Sequence, residues 1–250
     1  MKRIGCPIII TKRIKDRSED QHSGYKEKDM YRDIDYWNEY YRHNPPSADN
    51  KPCDFAKFIE SEFLYEKKPA HILELGCGNG RDSLFFLSKG HKTTAVDESN
   101  VAIEMLNQIT DSGYVLFVCD DFVKSKALRQ MKYDCIYSRF TLHAISEEQE
   151  DELLNNARTA LNDNGILAIE ARTTNDELYG KGIEIEKNAF IYNDHYRRFI
   201  DVNEFRKKIE KLGYDIIYLE ESDGFSRTQN SDPVLMRCIC TAINQNAQNY

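Results

Sequence analysis

The sequence predicts an α/β fold in which a mostly parallel sheet is covered by helices on both faces. Three observations carry this. From His71 onward, apolar runs of strand length alternate with amphipathic stretches of about three turns. The first run leads into glycines at 76, 78 and 80, and such a strand-to-helix turn lets backbone amides approach a ligand where a Cβ would collide. Gly90, Gly113 and Gly213 stand where helical stretches should stop.

Strands are expected at 71–75, 92–96, 114–119, 133–138, 165–171, 214–221 and 234–241, and helices at 80–89, 99–111, 147–162 and 202–212. Residues 1–66 form an N-terminal arm and helical cap. The stretch from Lys12 to Lys28 is the most charge-dense part of a loose arm, and residues 31–66 carry Tyr31, Tyr36, Trp37, Tyr40 and Tyr41 ahead of Pro45 and Pro46. An amphipathic helix with Phe55, Phe58, Ile59 and Phe63 follows. The main domain spans 67–241, and 242–250 is a polar tail. Within it, residues 172–200 break the strand-helix rhythm beside the C-terminal ends of the sheet, where a substrate lid belongs.

Composition bounds the reading. A chain of 250 residues with 40% apolar content can bury one sizeable core. Seven cysteines, an odd number without zinc spacing, predict reduced thiols in a cytoplasmic protein and no metal site. The sequence shows no long apolar run and no signal-like start, so neither a membrane-spanning nor a secreted form is expected. A net charge of −8 disfavours a broad duplex nucleic-acid face.

The glycine-rich turn narrows the ligand. A dinucleotide site wants a third glycine three residues after Gly78, where this chain has Arg81. Glu74 adds a carboxylate that would repel a diphosphate and welcome a cation. Asp97 ends the next strand, placed to take two ribose hydroxyls. Asp120 ends the third, where an adenine amine could donate to it while the Phe122 amide is accepted by the ring.

These residues resemble class I S-adenosylmethionine-dependent methyltransferases. Glu74-Leu-Gly-Cys-Gly-Asn-Gly80 is similar to that family's first motif, Asp97 to its ribose-binding acid and Asp120-Asp121-Phe122 to its adenine-side motif. Residues 133–143 match its fourth strand, whose end faces the methyl group. The resemblance covers about residues 68 to 241 and implies a Rossmann-like, seven-stranded sheet with the last strand antiparallel. It implies S-adenosylmethionine as cofactor, held by Glu74, Gly76, Cys77, Gly78, Asn79 and Gly80. Asp97, Glu98, Asp120, Asp121, Phe122 and Ser138 complete the implied set, with Tyr36 and Trp37 closing the site from an N-terminal helix.

For the acceptor, Arg139 and Arg172 sit near strand ends, and the lid adds Tyr179, Lys181, Tyr196, Arg197 and Arg198. Arginine suits a carboxylate or phosphate by bidentate donation, so a small anionic or nucleotide-linked acceptor is expected. Arg197 and Arg198 would point oppositely in a strand, leaving one to enter the pocket. A hydroxyl acceptor needs a general base, for which His143 and His195 are the candidates; surface cations paired with Glu170, Glu184 or Glu186 are the bland alternative. The overall look resembles small-molecule and bacterial surface-polysaccharide (capsule) modifying methyltransferases, including those that act on phosphoramidate groups. A catalytically inactive cofactor-binding scaffold and a nucleic-acid methyltransferase are the competing readings, the latter disfavoured by Ser138-Arg-Phe-Thr141 where that branch carries Asn/Asp-Pro-Pro-Tyr. Monomer and homodimer are both compatible with the sequence.

Overall fold

A computed structural model describes residues 34–47, 51–193, 195–229 and 231–243. The charge-dense arm, Tyr31 and residues 244–250 of the tail lie outside the described residues. The chain opens with α1 (Ile34–His43) and α2 (Asp54–Ile59), which runs on into a π-turn over Glu60–Leu64. There follow β1 (His71–Leu75), α3 (Arg81–Ser88), β2 (Lys92–Asp97), α4 (Asn100–Ile109), β3 (Val115–Cys119) and the short α5 (Ala127–Gln130). Next come β4 (Tyr133–Arg139), a 3-10 turn at Leu142–Ala144, α6 (Glu147–Ala160) and β5 (Leu161–Arg172). Three short strands, β6 (Ile183–Glu186), β7 (Ala189–Tyr192) and β8 (His195–Arg198), precede α7 (Val202–Lys211), β9 (Tyr214–Ser222) and β10 (Leu235–Ala242).

The main sheet has the order β3-β2-β1-β4-β5-β10-β9. The first five strands are parallel, and β10 is antiparallel to both β5 and β9. The last strand in the chain is therefore an interior strand, and β9 takes the edge. β1 lies between β2 and β4, where the strand order reverses, and ligands of open α/β sheets bind in the crevice outside that point.

Local chemistry explains the element ends. Ser146 and Gln149 form a reciprocal capping box at α6, and the Asp201 carboxylate accepts from the Asn203 and Glu204 amides at the start of α7. The expected helix over 147–162 stops at Ala160, and β5 begins at Leu161 rather than 165. Tyr133 pairs with Leu161 and a bulge then absorbs the polar Asn162–Gly165 stretch, with Asn164 at φ 61°.

Both faces of the sheet are apolar, as parallel strands covered on both sides require. One face packs Leu73, Leu75, Ile136, Leu154 and Phe205. The other packs Phe55, Ile59, Ile72, Phe86 and Tyr137, so α2 belongs to the core. Across β5 and β10, buried Glu170 accepts from Arg139 Nε at 2.8 Å and Arg237 Nε at 2.7 Å.

The excursion at 172–200 is more ordered than a loop. β6, β7 and β8 form an antiparallel sheet joined by short turns at Asn188 and Asn193, whose φ values are 61° and 52°. A bridge between Thr173 and Ile200 closes its base. No helix of the described residues is long and apolar enough to cross a membrane.

Candidate functional site

A cavity of about 310 Å³ opens at the C-terminal ends of β1, β2 and β4, within the range of small-molecule sites. Its floor is the turn after β1. Gly76, Gly78 and Gly80 all have positive φ, and at Gly78 an added Cβ would stand 2.5 Å from the Tyr41 hydroxyl of the roof. The Gly78 amide donates to Asp97 Oδ2 at 2.8 Å and the Ser99 amide to Oδ1 at 2.8 Å. Asp97 thus ties the end of β2 to the glycine turn while still facing the cavity.

This half of the cavity is acidic. Glu74, Asp82, Asp97 and Glu98 all line it. Glu74 is buried and bonded by Ser83 Oγ, and burial, then the Asp82 charge, push its carboxyl well above the usual range. Burial raises Asp97 too, opposed by its two amide bonds. Asp82 accepts from the Cys53 amide at 2.8 Å, Cys53 Sγ at 3.0 Å and Tyr137 hydroxyl at 3.1 Å. Burial and that carboxylate push the Cys53 thiol up to about 12, so it is a hydrogen-bonding thiol that caps α2 rather than a nucleophile. Enclosed carboxylates that repel one another are stabilised by a bound cation.

Of the residues expected around the cofactor, Trp37, Glu74, Gly76, Cys77, Gly78 and Asn79 line the cavity, as do Asp97, Glu98 and Phe122. Gly80 instead starts α3, and Ser138 is buried against the Thr141 hydroxyl. Asp120 departs from expectation: its carboxylate accepts from the Asp121 amide, Ser125 Oγ and the Lys126 amide, so it braces its own loop. Asp121 likewise accepts from the Val123 amide at 2.7 Å. Short acidic side chains readily take such neighbouring amides. Tyr36 does not line the cavity either; its ring lies 4.7 Å from that of His195.

The other half is aromatic and cationic. Arg139, Phe140, Thr141 and His143 reach it from the end of β4, and His195 and Tyr196 from β8. Phe140 holds φ 59°, a costly conformation for a bulky residue, fixed by its amide donating to the Glu170 carbonyl at 2.9 Å. The Arg139 guanidinium lies 4.0 Å from the Phe140 ring centre. His143 is buried in the wall, and its Nδ1 has no hydrogen-bond partner. Burial, then the charges of Arg197, Arg172, His195 and Arg139, hold it well below the ordinary histidine value.

The expected acceptor residues divide. Arg198 points away from the cavity and donates to the Ile145 carbonyl at 2.9 Å and to buried Glu150; it pins the lid to α6. Tyr179 donates to Asn188 and packs against Phe190 and Phe199, and Lys181 is exposed, so neither lines the cavity. Arg172 donates to Asp176 at 2.7 Å. Tyr196 donates to Glu186 at 2.6 Å. Residues that sequence reasoning passed over are Arg81, Asp82, Phe140 and Thr141; only the acid directly after the glycine turn carried a visible signal. Among the described residues no group of three His, Cys, Asp or Glu side chains is placed to hold a metal ion.

The roof is α1. Trp37, Tyr40 and Tyr41 line the cavity, and Asn38 Oδ1 accepts from Ser99 Oγ at 2.7 Å. Trp37 also meets His195 edge-on at 5.6 Å.

Comparison with known proteins agrees with this geometry. A family model described as a methyltransferase domain matches residues 41–219. The Haemophilus influenzae protein named "Probable S-adenosyl-L-methionine-dependent methyltransferase TehB" is 26% identical over 144 residues, 58% of this chain and 47% of that protein. The chain thus spans about half the length of the curated relatives it matches. A TehB-like S-adenosylmethionine-dependent methyltransferase from Corynebacterium glutamicum shares the fold with a TM-score of 0.58 at 19% identity, covering 84% of this chain and 97% of its own. The 1,6-didemethyltoxoflavin-N1-methyltransferase of Burkholderia thailandensis, solved with its acceptor and S-adenosylhomocysteine, gives 0.60 at 16% identity, covering 90% and 94%.

Proposed function

This chain belongs to the methyltransferase-domain family, and we propose that it uses S-adenosylmethionine to methylate an oxygen of a small anionic acceptor. The cavity residues fit the cofactor: the cradle at Gly78 would be filled by a Cβ, and the enclosed acids at 74, 82, 97 and 98 suit a sulfonium nucleoside with a cationic amino group. When bound, the cofactor supplies a methyl carbon already activated by its positive sulfur, which keeps the electron pair of the broken bond. The protein's part is alignment, exclusion of water and handling of one proton.

The single observation that carries the acceptor reading is His143. A buried imidazole whose Nδ1 lacks a partner costs about 1–3 kcal/mol, and an acceptor hydroxyl donating to it would remove that cost. Burial, then the charges of the nearby arginines, hold it well below the ordinary histidine value, which favours the neutral form able to take a proton. His195, its ring tilted against that of Tyr36 and half-buried, bounds the acceptor from the lid side.

The test is a mass-spectrometric screen of nucleotide-linked and other anionic metabolites for a +14 Da product. The expected result is such a product in wild type and a loss of kcat by about 100-fold or more in His143→Gln, with S-adenosylhomocysteine affinity retained. Undiminished turnover in that variant removes the general-base role, and a neutral or nitrogen acceptor removes the finer substrate assignment.

A further inference from the structure

Four arginines belong to the end of β4, the end of β5 and β8; Arg139 alone of the four lines the cavity, and three have partners. Arg139 donates to Glu170 and Ser226, Arg172 to Asp176, and Arg198 to Glu150 and nearby carbonyls. Arg197 differs. Among the described residues it makes no ion pair, and its Nε is enclosed without a hydrogen-bond partner. On β8 it alternates with Arg198 and shares the face of His195, which lines the cavity. Of the charged groups acting on His143, Arg197 acts most strongly.

That placement is unfavourable as it stands. Burial, then the charge of Arg172, press Arg197 below its ordinary value, and the Asp176 carboxylate is already bonded to Arg172. A guanidinium keeps its proton, so it remains a half-buried cation beside another cation. Such a group is costly unless an anion pairs with it.

Resting on the reading that this cavity takes a methyl acceptor, we infer that Arg197 anchors an anionic group of that acceptor, a carboxylate or phosphate held at the lid side while the oxygen to be methylated lies at His143. The guanidinium fork can take either anion in bidentate fashion. Arg197 then selects acceptors by charge, whereas Arg198, its neighbour in sequence, only holds the lid.

The same contact links binding to proton transfer. Facing His143 are Arg139 from the end of β4, Arg172 from the end of β5, and His195 and Arg197 from β8. An anion seated on Arg197 cancels the strongest of these charges, so the imidazole becomes a better base once the acceptor is in place. An empty site keeps it a poor one.

The experiment uses the full chain with S-adenosylhomocysteine bound and inorganic phosphate as the probe, followed by NMR of the His143 ring. Phosphate should perturb the ring signals and raise their titration midpoint by about half a pH unit or more. Arg197→Gln should show a higher midpoint without phosphate and no phosphate response, Arg197→Lys should recover part of it, and Lys207→Ala on the exposed face of α7 should match wild type. With an anionic acceptor in hand, Arg197→Gln should raise KM about tenfold or more with a smaller change in kcat. A phosphate response that is absent in wild type, or equal in Arg197→Gln, overturns the anchor. Cofactor binding is read separately by calorimetry, so that outcome leaves the methyltransferase reading standing.

Discussion

Tyr41 closes over Gly78 so tightly that no side chain fits between them. Burial and the neighbouring Asp97 hold its phenol well above the ordinary value, so it is a neutral donor in the roof. Gly78→Ala should therefore do two things: strain a backbone at φ 54°, which costs about 1–2 kcal/mol, and drive α1 off the glycine turn. Gly90 has φ 88° with nothing within 4 Å of an added Cβ, so Gly90→Ala carries the strain alone. Calorimetry should find S-adenosylhomocysteine affinity reduced about tenfold or more in Gly78→Ala and unchanged in Gly90→Ala, with similar losses of Tm. Equal affinities in the two variants would show that α1 plays no part in binding.

Arg198 and Arg197 should part company in a stability measurement. Glu150 is buried and accepts from Arg198 and from Lys208 Nζ at 2.7 Å. Removing one partner of a buried pair costs about 3–5 kcal/mol, at the lower end here because Lys208 remains. Arg198→Met should lose about 3 kcal/mol in urea unfolding, while Arg197→Gln should stay within about 1 kcal/mol. The reverse ranking would mean that the lid is pinned by the other arginine.

His143 also predicts a direction for acid sensitivity. Burial and its cationic neighbours lower its value in the folded state, while an unfolded histidine titrates near 6.5, about its ordinary value. Below that point the unfolded chain binds more protons than the folded one. The contribution is therefore intact above about pH 6.5 and declines as pH falls towards the folded value, by about 1.4 kcal/mol per unit. His143→Gln cannot show this decline. Urea unfolding at several pH values should find the variant gaining on wild type as pH drops through about 6; a constant difference would mean that the imidazole titrates alike in the folded and unfolded chain.

The sheet is legible in the sequence wherever an apolar run ends at a glycine or an acid, which is why β1, β2 and β3 fall within a residue of expectation. β5 is longer because pairing with Tyr133 carries Asn162, Asp163 and Asn164 into a strand that their own preferences oppose. In the site, the glycine turn and Asp97 can be read because backbone geometry demands them. Asp120 cannot, since its choice between a ligand and the Ser125 hydroxyl is made by loop conformation. The lid hairpins did leave a trace in Asn188 and Asn193, residues that tolerate left-handed turns. That Arg197 and Arg198 diverge follows from strand alternation, but which one turns inward is decided by Glu150, distant in sequence.

The position of β10 has a consequence for synthesis. Chains emerge N-terminus first, yet this strand slots between β5 and β9, both of which leave the ribosome before it. Until residues 235–242 appear, β5 presents an open edge and Glu170 holds one arginine instead of two. The nascent domain thus carries a vacant berth beside β5, a surface on which chaperones or stray strands can settle, and only the arrival of β10 with its Arg237 closes it.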